Sequence, residues 1–315
     1  MKKHSSLMRR VIEDYSLIFI FVVMFVTLSL TVPYFFSQQN IIGLGLSVSQ
    51  IGMLACTMMF CLASRDFDLS IGSTVACAGV VCAMVLNKTD SITIGILASL
   101  ACGAIVGWVN GAVISYLRVN ALITTLATMQ IVRGMAFLAS GGQAVGVTNE
   151  SFFSLGTSML LGIPTPIWIT VLCFVVFGVM LNKTVYGRNT LAIGGNPEAS
   201  RLAGVNVAKT RVYIFLIQGA VAGLAGVILA SRITSGQPNA AQGFELSVIS
   251  ACVLGGVSLM GGRATISGVV VGVLIMGTVE NVMSLLNVDS FYQYVVRGTI
   301  LLLAVLVDQL KSRAD

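Results

Sequence analysis

The chain has 315 residues, 56% hydrophobic and 10% charged, with 18 Lys and Arg against 12 Asp and Glu and a mean hydropathy of +0.95. Soluble domains carry roughly 25% charged residues, so a water-soluble globule is excluded. The apolar runs are continuous rather than alternating, which also excludes a transmembrane barrel. An all-α, polytopic membrane protein remains, because backbone groups in lipid must pair within their own segment.

In chain order, residues 1–14 read as a cytoplasmic tail that carries Lys2, Lys3, Arg9, Arg10 and the single histidine, His4. The apolar run that follows has no small-residue cleavage site behind it. Pro33-Tyr34-Phe35-Phe36 instead marks an interfacial exit, so this run is the first span. About ten spans are expected, at 15–32, 41–64, 71–86, 92–114, 121–140, 167–181, 212–233, 245–260, 265–286 and 291–307, with a short tail at 308–315. The run at 245–260 is short enough to be broken or re-entrant. With the N-terminus inside, fourteen basic residues fall on the inner side and only Lys88 on the outer, while Arg133, Arg232 and Arg297 lie within spans. That asymmetry sets the orientation. The seven cysteines all lie in apolar runs without CxxC spacing and read as packing residues.

Asp66 and Asp68 stand between the second and third spans. They either cap the next helix and pair with Arg65, or line a path through a broken helix, where a carboxylate accepts hydroxyl protons. Asp68-Leu69-Ser70-Ile71-Gly72 lines up faintly with Ser258-Leu259-Met260-Gly261-Gly262, suggesting interrupted segments in two pseudo-repeated halves. Asp66, Asp68, Ser70 and Ser258 are therefore path candidates. Gly95, Ser99, Gly103, Gly107 and Gly111 recur every fourth residue, and Gly219/Gly223 and Gly268/Gly272 repeat the pattern. Such seams let helix backbones approach closely, within one subunit or across a homodimer. Asn120, Thr124 and Thr128 form one polar stripe with Thr125 beside it. These residues wall a path or bond their own backbone. Arg133 is expected to pair with a neighbouring helix.

The segment 182–211 is a polar inner loop with five positive charges. Asn196 can cap a helix starting at Pro197, with Glu198 favourably placed for the dipole and Gly204 ending it. A helix this short is marginal alone. It lies on lipid headgroups or docks into a partner's groove through Ala199, Leu202 and Ala203, and docking fits better. Glu280 and Arg297 are equidistant from the turn between the last two spans, roughly 13 Å deep. An antiparallel hairpin puts them level, as a structural ion pair.

These residues carry a resemblance. The run GGNPEASRLAGV resembles the coupling helix of sugar-type ABC transporter permeases, in their ribose/arabinose/xylose branch. Phe67-Asp68-Leu69-Ser70-Ile71-Gly72-Ser73 resembles that family's aspartate–leucine–serine–glycine turn. Leu254-Gly255-Gly256-Val257-Ser258-Leu259 with Gly261-Gly262-Arg263 resembles its second-half glycine signature. Runs such as NALITTLATMQIVRG, ESFFSLG, ILASRITSGQPN and GTVENVMSLLN are most similar to the L-arabinose members, and the likeness covers essentially the whole chain. It implies a permease in the bacterial inner membrane, present in two copies on a cytoplasmic ATPase with two fused nucleotide-binding domains. A periplasmic sugar-binding protein would deliver the pentose. The implied ATPase-coupling residues are Gly187, Arg188, Gly194, Asn196, Glu198, Ala199, Arg201, Ala203 and Gly204. The chain carries no GxxxxGK[ST] phosphate loop, so ATP would be bound by another polypeptide. No catalytic residue, metal, cofactor or nucleic-acid partner is expected. Two departures stand out. Arg65 occupies a position where glycine is expected ahead of the acidic turn, leaving its backbone less free to take φ > 0, and Ser200 replaces an alanine. The rival reading is a proton-coupled secondary transporter using Asp66, Asp68 or Glu280. A hydrolase lacks the histidine and metal ligands it would need, and a passive channel leaves the basic loop without a purpose.

Overall fold

A computed structural model describes the backbone of residues 2–314 and the side chains of 17–289 and 291–310. The side chains of the basic N-terminal tail, His4 among them, lie outside the described residues. The helices are α1 (Lys2–Thr31), α2 (Gln38–Ala63), α3 (Ile71–Thr89), α4 (Ile92–Tyr116), α5 (Ala121–Ser140), α6 (Ser154–Thr157), α7 (Thr165–Lys183), α8 (Val185–Gly195), α9 (Pro197–Leu202), α10 (Val207–Arg232), α11 (Phe244–Leu254), α12 (Ile266–Leu285) and α13 (Ser290–Ala314). Helix starts coincide with side-chain oxygens that accept from the otherwise unpaired first-turn amides: Ser37 for α2, Ser91 for α4, Asn120 for α5, Asn206 for α10 and Thr265 for α12.

Among the described residues, eight helices are long and apolar enough to cross a membrane: α2, α3, α4, α5, α7, α10, α12 and most of α13. The other two expected spans are shorter. In α1 the apolar part is Leu17–Thr31, and α11 has 11 residues, about 16 Å at 1.5 Å each. The rest of the run at 245–260 is a glycine turn, with Gly256, Gly261 and Gly262 at positive φ.

The packing has a swapped pattern. The helix α4 lies against α10 and α12 lies against α2, so each half inserts a helix into the other; α3 packs on α4, α5 and α10, as α11 packs on α12, α13 and α2. The glycine seam of α4 is the first of these joints. A Cβ at Gly103 or Gly107 would collide with the carbonyls of Gly219 or Phe215, and Ser99 donates to Ala78 O (2.9 Å) and Gly223 O (3.0 Å). The seam is thus used within the subunit.

This pattern corrects the alignment of 68–72 with 258–262. Element by element, α2 matches α10 and α3 matches α11. The sequence agrees: Leu62-Ala63-Ser64-Arg65 recurs as Leu229-Ala230-Ser231-Arg232, and Phe67-Asp68-Leu69-Ser70 as Phe244-Glu245-Leu246-Ser247. The segment 258–262 lies instead in the turn between α11 and α12, where Ser258 Oγ accepts from Met260 N (3.2 Å). Ser258 is a buried turn former, set apart from the other path candidates.

Candidate functional site

At one end of the bundle, the segment expected to be a polar loop is two helices. Thr184 caps α8 by accepting from Gly187 N. Gly187 and Gly194 are buried, and a Cβ on Gly194 would run into the Ala63 carbonyl and the Gly262 amide. Gly262 N donates to Ala63 O at 2.9 Å. Of the nine coupling candidates, Gly194 therefore joins α8 to the end of α2, and Gly187 seats α8 on the Met180 and Leu181 carbonyls of α7. They are not docking surface. Asn196 then caps α9, accepting from Glu198 N (3.1 Å) and Ala199 N (3.0 Å), and Gly204 ends it at φ +87°. Ser200 faces inward and donates to Asn196 O (2.8 Å). Glu198, Ala199, Arg201, Leu202, Ala203 and Gly204 are exposed, as is Arg188 on α8, with Leu202 at 78%. Arg201 bonds back to Glu198 (Nε–Oε2 3.2 Å), which holds that carboxyl below its ordinary range.

The acidic turn 64–70 sits directly behind these helices. Arg65 does take a left-handed backbone, φ +67°, an uncommon state for a residue with a side chain. It is held there by two charge-assisted bonds, Nε to Gly194 O (2.6 Å) and Nη2 to Gly195 O (2.8 Å). The expected pairing of Arg65 with the aspartates is corrected accordingly. Asp66 pairs instead with Arg211 of α10 (3.0 Å) and accepts from Ser64 Oγ (3.4 Å). Burial raises its carboxyl to about 6, against the opposing pull of Arg211 and then Ser64.

Asp68 is the buried end of a polar chain. It accepts from Ser70 N (2.9 Å) and Oγ (2.6 Å), Asn110 Nδ2 donates to Ser70 Oγ (2.9 Å), and Thr128 donates to Asn110 Oδ1 (2.7 Å). Of the expected stripe, only Thr128 joins this chain. Asn120 caps α5, Thr124 bonds back to Asn120 O (3.0 Å), and Thr125 bonds Ala121 O (2.9 Å) and Phe67 O (3.3 Å).

The second half repeats the arrangement with different chemistry. Ser247 donates to Glu280 Oε1 (2.8 Å), and Arg297 Nε lies 3.1 Å from the same oxygen. Glu245, absent from the sequence-derived candidates, stands where Asp68 stands in the first half. A Cβ on Gly72 would be 2.5 Å from both the Ala241 carbonyl and Glu245 Oε2, so the entries of α3 and α11 meet there. Arg133 bonds neither helix nor carboxylate but the carbonyls of Pro238 and Ala240 (2.7 Å each), in the loop ahead of α11.

Comparison with known proteins gives the family. The family model described as branched-chain amino acid transport system / permease component matches residues 40–305. The L-arabinose transport system permease protein AraH of Escherichia coli (strain K12) is 57% identical over 312 residues, 99% of this chain and 95% of that protein. The L-arabinose ABC transporter permease protein AraH of Azospirillum brasilense is 55% identical over 300 residues, 95% of this chain and 88% of that protein. The ribose import permease protein RbsC of Bacillus subtilis (strain 168) is 40% identical over 293 residues, 92% and 91%. No solved structure matches the chain. With that extent of match over nearly every helix described above, the chain belongs to the branched-chain amino acid transport system / permease component family, as a membrane permease subunit that is not itself catalytic.

Proposed function

We propose that this chain is the membrane-spanning subunit of an ATP-driven importer that moves a pentose, L-arabinose, delivered by a periplasmic binding protein. Two copies stand on a cytoplasmic ATPase whose two nucleotide-binding domains are fused in one polypeptide. The excess of basic side chains at the α9 end supports a cytoplasmic assignment for that end and for both termini in the bacterial inner membrane. The substrate follows the L-arabinose permeases that are 55% and 57% identical.

The observation that carries the mechanism is Arg65. Its guanidinium ties the acidic turn 64–70 to the last turn of α8, and α8 runs directly into the exposed α9. ATP binding in the partner pushes α9, α8 carries the displacement, and Arg65 drags the turn bearing Asp66 and Asp68. The pathway then opens outward to receive sugar, and the reverse movement releases it inside. Only a difference in the partner's affinity for the two states can drive this.

Reconstitution tests it. In liposomes holding the chain, its ATPase and the binding protein, Ala203→Cys should cross-link to the ATPase. Arg65→Ala should leave that cross-link intact while lowering arabinose uptake about tenfold, the effect of losing one or two bonds to a charged group. Uptake by the chain alone, driven by a proton gradient and indifferent to vanadate, would establish the secondary transporter instead.

A further inference from the structure

A cavity of about 1010 Å³ opens at the α9 end, between the acidic turn 64–70, the turn 117–120 joining α4 to α5, and the turn 204–206 ahead of α10. Its size is that of a small-molecule site. Four arginines line it, Arg65, Arg118, Arg201 and Arg211, against one carboxylate, Asp66. Arg211 is neutralised by Asp66 and Arg201 by Glu198. Arg65 spends its donors on neutral carbonyls, which leave its charge uncompensated. Among the described residues, Arg118 has no partner. Both arginines take the left-handed backbone that ends a helix, Arg65 after α2 at φ +67° and Arg118 after α4 at +58°.

Helix ends of both signs meet the same wall. The N-cap and first turn of α5 (Asn120, Ala121, Leu122) and of α10 (Asn206, Val207, Ala208) both line the cavity. The C-terminal turn of α4 (Ile114, Ser115) lines it as well, so helix ends of opposite sign offset one another and the arginines set the field. Ser115 Oγ, on the same wall, is shielded from solvent and has no hydrogen-bond partner. Two guanidiniums without a counter-charge among the described residues, Arg65 and Arg118, converge on one volume.

We propose that this cavity binds the phosphate of an anionic phospholipid headgroup. The remaining wall separates a lipid from a free anion. Ile114, Val119, Val205 and Val207 line the same cavity, and a bare phosphate gains nothing from them. Beside the mouth, Tyr116, Leu117 and Ile123 are 59%, 71% and 63% exposed, an apolar rim suited to the boundary between headgroups and acyl chains. Basic pockets between helix ends at this depth hold acidic lipid headgroups by this combination. The lipid would sit against Arg201 and the turn that ends α9, so its occupancy reports on the helix assigned above to ATPase docking, while its binding does not depend on that assignment.

The test uses the full chain in nanodiscs of phosphatidylcholine doped with phosphatidylglycerol, with retained lipid measured by native mass spectrometry after mild extraction. Wild type should retain phosphatidylglycerol in preference to phosphatidylcholine. Arg118→Gln should weaken that retention about tenfold, as expected for one lost charge-assisted contact. Arg118→Lys should restore most of it, and Lys183→Gln, an exposed basic change on the same end, should not alter it. Thermal unfolding of each variant checks that the fold persists. Equal retention by Arg118→Gln and wild type would overturn the proposal. So would loss of bound lipid to inorganic phosphate at constant ionic strength, which would assign the site to a free anion, or to an acidic peptide, which would assign it to a protein partner.

Discussion

The two halves of this permease build the same polar chain from different groups. In the first half, Asp68, Ser70, Asn110 and Thr128 are joined by bonds that end on a neutral amide and a hydroxyl. In the second, Glu245, Ser247, Glu280 and Arg297 occupy the matching elements, and the last two are an ion pair. Rearranging neutral hydrogen bonds costs about 1 kcal/mol each, whereas separating a desolvated pair costs several times more. Of the two polar chains the second is therefore the stiffer, while the acidic turn beside the first has its own ion pair, Asp66–Arg211. The compliant half contains the acidic turn that Arg65 ties to α8 and α9. On the proposed mechanism, movement and docking lie on the same side of the comparison.

Breaking the stiff side should have the largest effect. Glu280→Gln or Arg297→Gln leaves one charge unpaired where each side chain is 17% exposed, and should cost about 3 kcal/mol, read from thermal unfolding in detergent. The double swap Glu280→Arg with Arg297→Glu should recover most of it; no recovery would mean the two charges do not act together. Breaking the compliant side should cost less. Asn110→Leu strands the Ser70 and Thr128 hydroxyls, about 1–2 kcal/mol by the same measurement. A loss as large as that of Glu280→Gln would erase the distinction between the halves.

A pH-dependent effect, read as a slope and not as a loss of stability, separates the two loops that lead into α3 and α11. The loop ahead of α3 is tied by a titratable group, Asp66 on Arg211, while the loop ahead of α11 is tied by Arg133 on backbone carbonyls. The folded Asp66 carboxyl lies at about 6 against an ordinary 3.8, so the folded state holds its proton more tightly than the unfolded chain does. Its contribution is complete below about 3.8, declines as pH rises through the window up to about 6, and is constant above it. Asp66→Asn should flatten the unfolding midpoint across that window, and an unchanged slope would refute the assignment.

Much of this was legible in the sequence because it is local. Hydrophobic runs marked the helices, and Asn196, Pro197 and Gly204 marked both ends of α9, since capping acts over three or four residues. What escaped depends on distance. The partner of Asp66 is Arg211, brought to it only by the packing of α10. The stretch 184–195 looked polar, yet its Gly187 and Gly194 are buried where backbones meet, and a glycine gives no hydropathy signal of that burial. Glu245 was recoverable: the repeat of Phe-Asp-Leu-Ser as Phe-Glu-Leu-Ser was present, but the two copies enter helices of unequal length, which obscured the register.

The exchange of helices between halves has a consequence for synthesis. The groove along α4 ends at Tyr116, and the helix that fills it begins about 90 residues later, at Val207. At ribosomal speeds that interval is roughly 5–20 s. During it, Gly103, Gly107 and Gly111 lack the helix they pack on, so the nascent first half must wait in the bilayer, or beside an insertion factor, until its complement emerges.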